Sequence, residues 1–214
     1  MSCSESEVTS DTDRLGLNYF PLEVGDYRVY DVVETKYSVL GVTEEIYELK
    51  ESVVDSNLNA SNNLQYIIHR STRANSTESW HLDSTWTAQK STSIAVLTEN
   101  NVPFVKLSFP IEHKLEWDGN RLNTRASETY WYDTEIPDTT LSDMVYQNIV
   151  KVIQSDRGED FLGLENRSET FAPDAGLIIK ESTILKYCQT DCNAEKEIQS
   201  GREIVMTLKE YGKE

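Results

Sequence analysis

The chain has 214 residues, 38% hydrophobic and 9% aromatic, enough apolar surface for one all-β domain or two small domains. Twenty basic residues against 37 acidic ones leave a net charge of −17. That balance excludes the basic footprint that nucleic acid requires, and electrostatic docking on anionic lipid heads. No run approaches the 18 apolar residues of a membrane span, and no signal-type apolar region occurs.

Taken in chain order, the first feature is Cys3, preceded by Ser2 and followed by Ser4-Glu5-Ser6-Glu7. A small residue, a cysteine and a polar tether match the end of a bacterial lipobox. Cys3 is therefore the candidate lipid anchor, with Met1 standing where a removed signal peptide ended. Residues 1–17 are polar and acidic and read as a disordered tether. A single domain, 18–214, is expected to fold without them. It opens at Asn18-Tyr19-Phe20-Pro21-Leu22 and turns at Val24-Gly25-Asp26.

From there short strands follow one another with turn signals between them. Tyr27 to Val33 and Ile46 to Leu49 are rich in β-branched and aromatic residues. Period-two alternation places Trp80, Leu82 and Trp86 on one face and His81, Asp83 and Thr85 on the other. Val105, Leu107 and Phe109 alternate likewise, as do Ile204, Met206 and Leu208. Turns are expected at Asn100-Asn101, Asp118-Gly119-Asn120, Asp156-Arg157-Gly158 and Asp174-Ala175-Gly176. Asp118-Gly119 reads as a tight hairpin between Trp117 and the Arg121-Leu122 segment. Residues 142–156 carry both a helical stripe (Val145, Ile149, Val152, Ile153) and a strand alternation, and the density of β-branched residues favours a strand. The expected fold is all-β: an antiparallel, strongly curved sheet or half-barrel of about ten to twelve strands. A two-sheet sandwich is the alternative.

Cys188 and Cys192 lie in Tyr187-Cys188-Gln189-Thr190-Asp191-Cys192, with no histidine or third cysteine nearby in sequence. The pair reads as a small disulfide of an oxidising, extracytoplasmic space, with free thiols or a metal as alternatives. An aromatic-rich middle third supplies candidate ligand-contacting rings: Trp80, Trp86, Tyr130, Trp131 and Tyr132. Packing is the competing role for each. His69, His81 and His113 are scattered. No nucleophile elbow or phosphate loop occurs, and Asp156, Glu159 and Asp160 read as a solvated acidic turn. No catalytic residue, metal site or cofactor is therefore nominated.

Two segments carry a family likeness. Tyr19-Phe20-Pro21-Leu22-Glu23-Val24-Gly25-Asp26-Tyr27-Arg28-Val29-Tyr30 resembles the "YFPL-x-x-G-x-x-W-x-Y" opening of uncharacterised exported lipoproteins of the Bacteroidetes type. Phe171-Ala172-Pro173-Asp174-Ala175-Gly176-Leu177-Ile178-Ile179-Lys180-Glu181 resembles their "YAPGVGLVKKE" segment, and 146–152 is similar to the strand between the two. The sequence departs from the pattern at Arg28 and at Asp174-Ala175. The resemblance implies an outer-membrane-anchored lipoprotein of the cell envelope, acylated (for example palmitoylated) at Cys3. It also implies a half-barrel like those of lipoprotein carriers or lipocalins, whose concave face can hold an acyl chain.

The expected function is thus a non-catalytic binding or assembly module, attached to the membrane through its lipid anchor. Its ligand would be an apolar small molecule or an envelope protein partner. A carbohydrate-associated surface protein, using glycan stacking on Trp131 or Trp80, is one alternative, and a hydrolase with an unrecognised site is the other.

Overall fold

Alternating apolar residues and frequent β-branched side chains drive most of the chain into strands. The computed structural model describes residues 12–190, 192 and 194–214. A helical turn α1 (Thr12–Leu15) and a 3-10 turn (Leu17–Tyr19) precede β1 (Asp26–Ser38), β2 (Gly41–Leu58), β3 (Leu64–Arg73), β4 (His81–Lys90), β5 (Ile94–Glu99) and β6 (Val102–Ser108). After these come β7 (Glu116–Asp118), β8 (Thr129–Asp133), β9 (Thr139–Leu141), β10 (Met144–Tyr146), β11 (Val150–Glu159), β12 (Gly163–Ala172), β13 (Gly176–Tyr187) and β14 (Ile198–Lys213).

Twelve strands form one antiparallel sheet in the order β6-β5-β4-β3-β2-β1-β14-β13-β12-β11-β8-β7. The sheet nearly closes into a barrel. This rules out the sandwich: no second layer faces the first, and the small β9-β10 sheet is a surface hairpin whose Leu141 and Tyr146 pack with Ala172, Ala175 and Ile178. Instead of pairing as strands, the edge β6 meets β7 and the loop that follows it through three hydrogen bonds among the described residues. Val105 N donates to the Gly119 carbonyl (3.0 Å), Trp117 Nε1 to the Val105 carbonyl (2.9 Å) and Asn123 Nδ2 to the Pro103 carbonyl (2.8 Å).

Bulges supply the curvature, because each inserts a residue that bends its strand and increases the twist. Register shifts occur at Val29/Tyr30, in β2-β3, β3-β4, β5-β6 and β11-β12, and beside Phe171. Close strand approach at Leu185 needs glycine on both sides. A Cβ on Gly163 would lie 2.0 Å from the Leu185 carbonyl oxygen, and one on Gly201 2.8 Å from the Leu185 Cα.

Local turn chemistry holds at Asn100-Asn101, both left-handed, and at Asp174 to Gly176, which joins β12 to β13. Three expectations are corrected. Asp118-Gly119 opens the β7-β8 connection, but residues 119–128 form a long loop and Arg121-Leu122 is not a strand. Asp156-Arg157-Gly158 lies inside β11 as a bulge, Gly158 taking the left-handed φ (+66°), while the chain reverses at 160–162. In β4 a bulge at Asp83 breaks the alternation. Leu82 faces solvent, and His81 and Asp83 share the cavity wall with Trp86. Of residues 142–156, Ser142 and Asp143 form the left-handed turn of the β9-β10 hairpin, and the rest is extended, as the β-branched content implied, in β10 and β11 with a break at Asn148 in the left-handed region.

One end of the barrel is sealed by the N-terminal segment. Leu17 and Phe20 pack on the core, and Leu22 is buried with Ile68, Trp86 and Ala88. Lys90 Nζ donates to the carbonyls of Leu17 (3.2 Å) and Phe20 (2.8 Å), Arg28 Nη2 to that of Pro21 (3.1 Å), and Ile111 N to that of Leu15 (3.3 Å). Residues 1–11 of the expected tether, Cys3 included, lie outside the described residues. Its last part, from Thr12, forms α1 and the start of this seal.

Candidate functional site

The interior is filled towards β6, β7, β8 and β11, where Leu107, Trp117, Tyr130, Tyr132 and Val152 are buried together. Between β1-β4 and β13-β14 it is open. A cavity of about 780 Å³ begins at the end away from the N-terminal seal. Tyr47, Leu49, Trp86, Ile204 and Met206 give it an apolar floor. Its rim is charged: Glu34, Arg73, Glu78, Asp83 and Arg202 border it, together with His81. Burial would raise the Glu34 carboxyl, but Arg202 (2.6 Å) and Lys36 (3.2 Å) outweigh burial and hold it below the usual carboxylate range.

Below the cavity lies a pit of about 60 Å³, closed by Phe20, Pro21 and Leu22. Arg70, Trp86, Glu99, Lys180 and Met206 border both spaces and form a neck between them. Cross-strand register places two of the ion pairs. Glu51 stands opposite Arg70 and accepts from its Nε (3.0 Å), and Glu169 stands opposite Lys180 at 3.4 Å. The third group spans the interior. Lys106 is the extra residue of the β5-β6 bulge, and its Nζ reaches Glu169 (2.5 Å) and Glu99 (3.1 Å). A bulge re-aims a side chain in just this way.

Electrostatics bind this chain of charges together. Burial alone would raise the Glu99 carboxyl, but Lys106, then Lys180 and Arg70, outweigh it and hold it at about 2. Burial would lower the Lys106 ammonium, yet Glu169 and Glu99 keep it protonated well above the ordinary lysine range. Arg70 also stacks on the Trp86 ring at 3.7 Å. On residues that line the neck and pit, two buried atoms have no hydrogen-bond partner among the described residues, Trp86 Nε1 and Glu169 Oε2.

The five aromatic candidates separate. Trp86 lies on the cavity wall. Tyr130 and Tyr132 are core residues, the Tyr132 hydroxyl donating to the Ser108 carbonyl (2.8 Å). Trp131, next along β8, faces the other way beside Lys114 and Glu116. Trp80 stands outside β4 under the Arg73 guanidinium (4.2 Å). Cys188 and Cys192 are joined as a disulfide. Among the described residues no three or more His, Cys, Asp or Glu side chains are grouped to hold a metal. In the acidic turn, Glu159 binds Lys196 (2.7 Å) and Tyr187 (2.6 Å), while Asp160 Oδ1 accepts from the Leu162 and Gly163 amides.

Fold and site together define an antiparallel barrel sealed at one end, with an amphipathic cavity open at the other. No protein-family model and no curated protein matches this chain. Among solved structures, it is similar to a Bacteroides fragilis protein taken to be exported and described as having a YmcC-like fold. The two share 13% identity at a TM-score of 0.48, over 91% of this chain and 98% of that one. It is also similar to a Parabacteroides distasonis protein taken to be a lipoprotein, with 11% identity and a TM-score of 0.43 over the same shares.

Proposed function

We propose that this protein is an exported, lipid-anchored binding module that takes a small amphipathic molecule into the open end of its barrel and does not convert it. The cavity carries this reading. Its volume of about 780 Å³ lies within the range of small-molecule sites, roughly 300–1,000 Å³. Its apolar floor and charged rim suit a ligand with both characters, rather than the purely apolar one expected from strand patterning. The Cys188–Cys192 bridge supports an oxidising compartment, and Ser2-Cys3 with its polar sequel supports acylation at Cys3.

Titration with the neutral fluorophore 1-N-phenylnaphthylamine tests the cavity. Its emission should rise on binding and quench Trp86 by energy transfer, and Ile204→Trp, which fills the floor, should abolish both. No emission change with the native protein, or equal binding by the filled variant, would remove the cavity from the function. Anchoring is tested separately. In a precursor carrying a lipoprotein leader, Cys3→Ala should move the protein from the membrane fraction to the soluble one.

A further inference from the structure

The neck presents hydrogen-bond donors with unused capacity in a place that water reaches poorly. Trp86 is 93% buried and its Nε1 has no acceptor. Arg70 spends only Nε, on Glu51, among the described residues, and its guanidinium carbon lies 3.7 Å over the same indole. Lys180 makes a 3.4 Å ion pair with Glu169 and no hydrogen bond among the described residues. A buried donor without a partner costs about 1–3 kcal/mol, so native proteins rarely retain one without a reason.

Charge points to the sign of the missing group. The chain as a whole is strongly acidic, yet the pit and neck carry Arg28, Arg70, Lys106 and Lys180 against only Glu51, Glu99 and Glu169. The carboxylates are already engaged: Glu51 by Arg70, Glu99 by Lys106, and Glu169 through Oε1 by both lysines. We infer that the neck is an oxyanion site, in which Trp86 Nε1, Arg70 and Lys180 hold the carboxylate or phosphate head of the amphiphile.

This rests on the proposed ligand-binding role and adds the ligand's head group and orientation. The head points inward. A pit of about 60 Å³ holds at most a few waters at roughly 10–15 Å³ each and cannot take an acyl chain. The tail therefore runs outward over Leu49, Tyr47, Ile204 and Met206. Glu169 Oε2, an acceptor without a donor, favours a head that carries its own O–H. A singly protonated phosphate monoester has one and a carboxylate does not.

Isothermal titration of the full chain with decanoate, decyl phosphate, decanol and decyltrimethylammonium separates the possibilities. Both anions should bind at least about tenfold more tightly than decanol, with decyl phosphate the tighter and the cation the weakest. Trp86→Phe and Lys180→Met should each weaken the anions about tenfold and leave decanol within about twofold. Decanol also reports that the variant cavity is intact. Should Trp86→Phe lose decanol as well, Lys180→Met, at a partly exposed position, decides alone. Equal binding of all four probes, or anion affinity unmoved by Lys180→Met, overturns the oxyanion site and leaves the binding role standing. Tighter binding of decanoate than of decyl phosphate overturns the role given to Glu169. If no probe binds, the binding role itself falls, and the oxyanion site with it.

Discussion

Replacing Lys106 by methionine isolates the ionic chain that crosses the interior. The substitution keeps the length of the stem but removes the ammonium from two carboxylates, Glu99 and Glu169, whose side chains are 19% and 1% exposed, leaving Glu169 only the 3.4 Å pair with Lys180. Removing one member of a buried ionic group costs about 3–5 kcal/mol, because the remaining charge has lost both its water and its partner. For a chain of this length, 1 kcal/mol moves Tm by about 2–4 °C, so the variant should melt about 10 °C lower at pH 7. The pH dependence gives an independent check. Glu99 titrates at about 2 in the folded protein and at about 4.3 when unfolded, so its contribution is complete above pH 4.3 and is lost as pH falls towards 2. The contribution is about 3 kcal/mol. Without Lys106, burial still raises this carboxyl while its strongest opposing influence is gone. The stability lost between pH 5 and pH 3 should therefore shrink in Lys106→Met. Differential scanning calorimetry across that range reads both effects. Adding Glu99→Gln and Glu169→Gln should recover part of the loss, since no buried carboxylate is then left short of a cation, while Lys180, which loses Glu169, is partly exposed. A Tm shift under 2 °C at pH 7, or an acid limb identical to that of the native protein, would refute the ionic chain as an energetic unit.

Other measurements follow from the seal and the strand crossings. Deleting residues 1–11 should leave Tm within about 1 °C. Deleting 1–17 should cost about 2 kcal/mol or more, because it removes Leu17 from the core and the acceptors of Ile111 N and one Lys90 bond; equal Tm values for the two truncations would contradict the seal. Cys188→Ser with Cys192→Ser should cost at most about 2 kcal/mol, because the bridge closes a loop of sequence separation 4. A larger drop in a denaturant titration would assign the bridge a wider structural role. Gly163→Ala must push a Cβ into the Leu185 carbonyl, so its urea midpoint should fall by the equivalent of about 2 kcal/mol, and an unchanged midpoint would deny the close approach.

Features encoded by neighbouring residues were legible in the sequence. Asn100-Asn101 adopts left-handed backbone because short amide side chains tolerate it, and the β-branched density of 150–153 outweighed a helical stripe. Bulges were not legible. The sequence around Gly158 reads as a turn because the same left-handed residue serves both purposes, and only the partner strand distinguishes them. The site was hidden for the same reason. Lys106 sits in Val105-Lys106-Leu107, where alternation assigns the charge to solvent, and the bulge opposite β5 reverses that assignment. Its partner Glu169 lies 63 residues away, and no local pattern connects them. One signal was available: a single charge inside an otherwise apolar strand, Lys106 in Val102–Ser108, is costly unless paired across an interior, whereas Glu169 and Arg70 lie in polar strands and carry no such mark. Trp86 was nominated for its ring, whereas the structure gives its N–H the more informative position.

The seal also determines which way an anchored barrel would face. Leu15, Leu17 and Phe20 bind the barrel at the closed end, so the chain leading back to Cys3 departs from that end. From Cys3 to Thr12 the backbone can span at most about 30 Å. The wall is about as tall as that limit, since the twelve steps of β1 run about 40 Å along the strand and, at the 35–45° tilt of barrel strands, about 30 Å along the axis, so that only a fully extended chain could reach the mouth. If Cys3 is acylated, a tether short of full extension would keep the sealed end nearer the bilayer and leave the cavity opening away from it. A ligand of the proposed kind would then enter from the aqueous side and would not slide in from the anchoring leaflet. That route suits the head-inward orientation, because the charged rim of Glu34, Arg73 and Arg202 first meets a hydrated head group, and the apolar floor behind it then covers the tail. A barrel drawing lipid directly from its own membrane would need the reverse arrangement, with the mouth beside the anchor and a rim of apolar residues.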